Sequence, residues 1–186
     1  MRKIAIILFL IVHIGLLAAE TDKKLAIRLG AGGLLPADSG YRAIYGKSAF
    51  MPRIELAYTF SPGLSAWTGF GWLKKSGQGP DSGIACDSSQ YFLAAGPAYS
   101  TPLSKILAVR LAAGPLLVFY REKAGSWTVS GTTLGADINA ALAWAISPAL
   151  ALEGRLGYLL ASDRIDGGDT FKMGGLWAGL GLALNL

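Results

Sequence analysis

Seven ionisable residues could do chemistry together if the chain brought them to one place: Arg28, Arg53, Glu55, Arg110, Asp137, Glu153 and Arg155. They are spread over most of the chain, yet each sits in a run where every second residue is apolar, and each takes the other parity. Four cations and three carboxylates on one face have two plausible uses. They can neutralise one another in a closed network of ion pairs, or they can form a path for protons or ions. Other chemistry finds little support. The only histidine is His13, inside an apolar amino-terminal stretch, so a mature chain has no Ser–His dyad and no His-assisted acyl transfer. The string from Ser162 to Asp169, with Asp163, Asp166 and Asp169, offers spaced oxygen ligands for calcium but has no closing bidentate Glu, and it is read as a solvated loop. Gly30-Ala31-Gly32-Gly33 is followed by no helix and is not a phosphate loop. Cys86, the single cysteine, can make neither an internal disulfide nor a common zinc site. No catalytic residue, metal or cofactor is expected, and the chain is read as a non-enzyme.

Strands must position the seven charges. From Thr132 to Leu160 one face reads Leu134, Ala136, Ile138, Ala140, Leu142, Trp144, Ile146, then Leu150, Leu152, Leu156, Tyr158 and Leu160 after Ser147-Pro148. The opposite face holds Gly135, Asp137, Asn139, Ala141, Ala143, Ala151, Glu153, Arg155 and Gly157. Period two across two strands and a turn explains this sorting; a helix would scatter the charges among the leucines. The same sorting recurs at Leu25, Ile27 and Leu29 against Arg28, at Ile54, Leu56, Tyr58 and Phe60 against Arg53 and Glu55, and at Leu107, Val109 and Leu111 against Arg110. It recurs again at Leu176, Leu180, Leu182 and Leu184 against Trp177, Gly179 and Gly181. Between Ser65 and Leu73 the faces are undecided, because Trp67 and Phe70 fall on opposite parities. A polar strand face in water would carry Lys, Glu, Thr and Gln. Here it is mostly Ala and Gly, which suits a crowded interior, so the large apolar face must look at hydrocarbon.

The chain is 52% hydrophobic, yet past residue 20 it has no apolar run of the roughly 20 residues that a membrane helix needs. Residues 1–19 have the form of a secretory signal: Arg2-Lys3, an apolar stretch from Ile4 to Leu17, then Ala18-Ala19. Residues 20–186 then form one domain. Its net charge of +5, leader included, is not gathered into a basic stripe, and no nucleic-acid partner is expected. Short turns at Ser61-Pro62-Gly63, Thr101-Pro102 and Ser147-Pro148 alternate with longer polar stretches near 36–48, 74–89, 120–131 and 162–170. Seven connections make eight strands, expected at 25–34, 51–60, 65–73, 90–99, 105–119, 132–146, 149–161 and 172–186. The fold class is therefore all-β: an eight-stranded antiparallel up-and-down transmembrane β-barrel, closed because a bilayer leaves an open edge unpaired. Pro97 and Pro115, each ending an Ala-Ala-Gly-Pro string, predict a local irregularity such as a bulge in the hairpin that holds them. Phe60, Tyr99 and Trp144 beside the short turns, and Trp72, Tyr91 and Phe119 beside the long loops, are expected to form two interfacial girdles.

Taken together, the alternating strands, proline turns, charged lumen and leader resemble the small OmpA/OmpX-type outer-membrane barrels, over residues 20–186. The resemblance is one of pattern, and the final Leu186 departs from the aromatic that usually ends such chains. It implies a monomeric protein of the cell outer membrane, non-enzymatic, with a structural or surface-contact role. Outer-membrane lipid surrounds the wall, and four extracellular loops offer contacts to lipopolysaccharide or surface partners. Lys74-Lys75 and Arg121-Glu122-Lys123 are placed to touch lipopolysaccharide phosphates, although charges at strand ends are commonly just solvated. The seven inward charges are expected to plug the lumen. Two other readings are a narrow pore using those charges and a water-soluble, lipocalin-like ligand barrel with the apolar face inward.

Overall fold

The computed structural model describes residues 25–80, 82–164 and 170–186. Eight strands run in sequence order: β1 (Leu25–Pro36), β2 (Ala49–Ser61), β3 (Leu64–Gln78), β4 (Ala85–Pro102), β5 (Leu107–Ala124), β6 (Trp127–Ala145), β7 (Leu150–Arg164) and β8 (Thr170–Asn185). Each pairs antiparallel with the next, and β1 pairs with β8, so the sheet closes into an up-and-down barrel. Closure leaves no edge strand, which is what a sheet in hydrocarbon requires. The signal-like residues 1–19 lie outside the described residues.

The alternation sets the facing. Leu29, Leu56, Leu111, Leu134, Leu142, Leu156 and Leu180 are exposed on the outer wall, while all seven ionisable residues of the sorted face turn inward. A lipocalin-like barrel would turn this row of leucines inward; here it lines the outer wall. The undecided strand is resolved too: Trp67 is buried inside and Phe70 is exposed outside.

The strands run further than hydrophobic alternation indicates. β3 continues to Gln78 and β4 begins at Ala85, and β5 and β6 are joined by Gly125 and Ser126 alone. Two of the expected long loops are thus mostly paired strand. Beyond the bilayer a ladder needs no apolar face, so nothing in the side chains announced it. The first long connection contains a helix, α1 (Ser39–Tyr45), capped by Asp38, whose side chain accepts from the Tyr41 amide at 2.8 Å. The Thr101-Pro102 turn also falls elsewhere. Pro102 closes β4, and the reversal is built on Ser104, whose Oγ accepts from Ile106 N at 3.3 Å and Leu107 N at 3.2 Å.

The proline hairpin is irregular, but not through a bulge. Pairing of β4 with β5 stops after Ala94↔Leu116 and resumes at Ala98↔Ala112, in the same register. The two Ala-Ala-Gly-Pro strings face each other across this gap, with Gly96 opposite Gly114. Neither proline can donate to the ladder. The carbonyls of Ala113 and Ala95 instead lie over the two glycines, so close that a Cβ on Gly96 or Gly114 would stand 2.1 or 2.0 Å from them. Trp67 Nε1 donates to Pro97 O at 3.0 Å from inside, and Thr68 Oγ1 donates to Ala94 O at 3.2 Å from outside. The irregularity of register lies instead in the β2–β3 hairpin, between Thr59 and Ser61.

Candidate functional site: a layered lumen

The interior is ordered in layers along the barrel axis. Toward the short turns the inward residues are small: Ala26, Ala57, Ser65, Ala98, Ala112, Ala151 and Ala183, all buried. Their size leaves room for long side chains reaching across from β1, β5 and β7. Eight strands enclose a space that side chains can fill, and here arginines fill it.

Five of the seven charges form one cluster. Glu55, 1% exposed, receives Arg110 Nη2 at 2.8 Å, Arg28 Nη1 at 3.6 Å and Arg155 Nη1 at 3.9 Å. The Arg110 contact is one of charge rather than of hydrogen-bond geometry, since neither atom finds a hydrogen-bond partner. Glu153 takes Arg28 Nε at 3.1 Å and Arg155 Nε at 2.8 Å. The remaining two charges sit one layer further up. Arg53 Nη2 meets Asp137 Oδ2 at 2.5 Å across the barrel from β2 to β6, and Asn139 Nδ2 donates to Asp137 Oδ1 at 3.0 Å. The Arg53 guanidinium lies between two indoles, 5.5 Å from the Trp67 ring centroid and 5.0 Å from that of Trp177. Such stacking suits a guanidinium, which is weakly hydrated and planar.

Above the charges comes an apolar layer: Leu34, Met51, Leu73, Phe92, Leu116, Val118, Leu159 and Met173. The end opposite the short turns is roofed by α1. Tyr41 OH donates to Ser88 Oγ at 3.1 Å, Ser88 Oγ to Glu122 Oε1 at 2.6 Å, and Tyr45 OH to Glu122 Oε2 at 2.7 Å. Beside this chain Tyr120 OH donates to Asp163 Oδ2 at 2.8 Å. Burial pushes the Glu122 carboxyl above its ordinary pKa, against the lowering effect of its hydrogen bonds from Ser88, Tyr45 and Gln90. α1 is tied down at both flanks: Arg42 Nη1 donates to Pro36 O at 2.6 Å, and Asp38 Oδ2 accepts from Lys172 N at 3.2 Å.

Outside, Phe60, Tyr99 and Trp144 are exposed next to the short turns. Trp72, Tyr91 and Phe119 stand in register on β3, β4 and β5 and are half-buried. Phe70 stacks on Trp72 at 5.6 Å and on Tyr91 at 6.3 Å. Of the Asp string, Asp163 belongs to the tyrosine network, and Asp166 and Asp169 lie outside the described residues.

Reading the sequence by its charges missed Trp67, Trp177 and Asn139, the apolar layer and the tyrosine roof. A signal for the layer was present. Leu116 and Val118 share the parity of Arg110, and Leu159 shares that of Glu153, so the inward face turns from charged to apolar within single strands.

No protein-family model matches the sequence, and no curated protein matches it. Solved structures do match. OprG of Pseudomonas aeruginosa, an outer membrane protein, aligns with a TM-score of 0.67 at 11% identity over 91% of this chain and 98% of its own. Ail, the attachment invasion locus protein of Yersinia pestis, solved with the heparin analogue sucrose octasulfate, aligns at 0.59 with 17% identity, over 89% and 100%. Neisserial surface protein A aligns at 0.56 with 14% identity, over 87% and 95%. The closed antiparallel topology agrees with these alignments: the chain has the fold of the small eight-stranded outer-membrane β-barrels.

Proposed function

We propose that the chain resides in the cell outer membrane as a monomeric, non-enzymatic barrel with a structural or surface-contact role, and that its lumen is closed to ions. One observation carries this reading. Each of the seven inward charges lies within 4 Å of an opposite charge, with the longest contact at 3.9 Å. A charge facing lipid at the midplane costs about 2–4 kcal/mol, and a buried unpaired one costs more. Inward pairing avoids both. The apolar layer and the tyrosine roof add two more closures in series. The contact surface is then the extracellular end, which carries α1 and the extended β3–β4 and β5–β6 hairpins. The sucrose octasulfate carried by Ail is precedent for a surface ligand on a barrel of this shape.

Conductance tests the closure. Purified barrel inserted in a planar bilayer should give no stable single-channel openings. Reproducible ohmic openings would overturn the plug and favour a narrow pore.

A further inference from the structure

We propose that the outer wall of β3–β6 holds the phosphate of an anionic outer-leaflet lipid, one whose headgroup carries a phosphomonoester. The proposal rests on the reading that this wall stands in an outer membrane. Strand register places the residues. Trp72, Tyr91, Phe119 and Thr132 lie side by side on neighbouring strands. Two residues further out, Lys74, Ser89, Arg121 and Ser130 do the same, all on the outer parity. Two residues of strand tilted by about 40° rise about 5 Å along the axis. Headgroup layers extend about 5–7 Å beyond the hydrocarbon on each side. The aromatic row therefore marks the edge of the hydrocarbon, and the cationic row sits at phosphate depth.

The charges at this end are sorted. Among the described residues of the extended strand ends, the outward charged side chains are Lys74, Arg121, Lys123, Arg164 and Lys172, with Asp87 as the one carboxylate. Glu122 and Asp163 point inward to tyrosines. Asp87 accepts from Ser76 Oγ at 2.7 Å and stands in register with Lys123, one row above. Lys74 and Arg121 form no ion pair among the described residues. They flank Ser89, one strand to either side, so their backbones are about 10 Å apart. Two long side chains can close that distance on a single phosphate, with the Ser89 hydroxyl as a third donor. A phosphomonoester carries about −1.5 to −2 at neutral pH, which matches two cations and exceeds the charge of a phosphodiester. Arg adds a planar fork suited to phosphate. The residues project sideways from the wall, which favours a lipid headgroup over a soluble polyanion above the loops.

The test is native mass spectrometry of the detergent-solubilised barrel, titrated with bis-phosphorylated lipid A and with its dephosphorylated form. Wild type should bind the phosphorylated lipid. The Lys74→Gln/Arg121→Gln double variant should bind it about tenfold or more weakly, the scale set by removing two charge-assisted hydrogen bonds. Lys105→Gln, in a short turn at the other end, should bind as wild type does. Equal binding by the double variant, equal binding of the dephosphorylated lipid, or displacement by equimolar sucrose octasulfate would each overturn the proposal. Heat-shifted electrophoretic mobility and insertion into vesicles are read on the same samples. A variant that inserts normally but keeps its lipid refutes the phosphate seat alone; a wild type that never inserts refutes the outer-membrane reading beneath it.

Discussion

Glu55→Gln removes the carboxylate on which the larger charge cluster converges. The residue is 1% exposed and lies within 4 Å of three guanidiniums, those of Arg28, Arg110 and Arg155. Arg28 and Arg155 keep Glu153. Arg110 has no other carboxylate within ion-pair distance among the described residues, so the variant strands one guanidinium in the interior. Removing one partner of a buried pair costs about 3–5 kcal/mol. That lowers the folded-to-unfolded ratio by between roughly a hundredfold and a few thousandfold. Replacing Arg110 as well should recover much of the loss. In Glu55→Gln/Arg110→Leu no charge is stranded, and the double-mutant cycle should show a coupling of about 1–3 kcal/mol. The assay is reversible urea unfolding in phospholipid vesicles, followed by tryptophan emission and by heat-shifted electrophoretic mobility. A Glu55→Gln protein within about 1 kcal/mol of wild type, well short of the ~3 kcal/mol minimum for a stranded buried charge, would refute the idea that this pairing carries the lumen. So would two substitutions that simply add.

Three further outcomes follow from the geometry. Gly96→Ala or Gly114→Ala places a methyl about 2 Å from a facing carbonyl. The strands must part there, at a cost of about 1–3 kcal/mol by urea unfolding, whereas Gly33→Ala, with nothing near its Cβ, should cost less. Trp67→Phe removes the donor to Pro97 O and one of the two indoles beside Arg53, and should destabilise by about 1–3 kcal/mol in the same assay. Glu122 gives a pH signature. Its folded pKa is raised by burial, so its contribution is fully present below the ordinary carboxylate range and is lost as pH rises through the folded value. Glu122→Gln, a neutral mimic, should therefore raise Tm relative to wild type at pH 7, and the gap should close as the pH approaches the ordinary Glu value. A gap that widens on acidification would contradict the sign.

The wall and the charge cluster were legible in the sequence because hydrocarbon enforces strict alternation. A slip of one residue would turn Arg155 or Glu153 into lipid, so the parity could not drift. Outside the bilayer that constraint ends. Lys74–Gln78 and Trp127–Gly131 form ladder without an apolar face, and read as loop. α1 is only seven residues long and is held by Asp38, Arg42 and two tyrosines, contacts made across the chain and not by local periodicity. Trp67 looked ambiguous because its partners, the Pro97 carbonyl and the Arg53 guanidinium, come from other strands. The seam was half legible: the prolines announced that the ladder would fail. That the two strings would meet glycine to glycine, without a shift of register, depended on the pairing of β4 with β5.

Tryptophan quenching by brominated acyl chains tests the facing of the wall most directly. Single-tryptophan proteins are made by Trp→Phe substitution, leaving Trp72 or Trp144 on the outer wall, or Trp67 or Trp177 in the lumen. With the apolar face toward lipid, Trp72 and Trp144 should be strongly quenched in bilayers of brominated lipid, while emission from Trp67 and Trp177 stays as it is in unbrominated lipid. Quenching of the two lumenal tryptophans, with the outer pair spared, would contradict it.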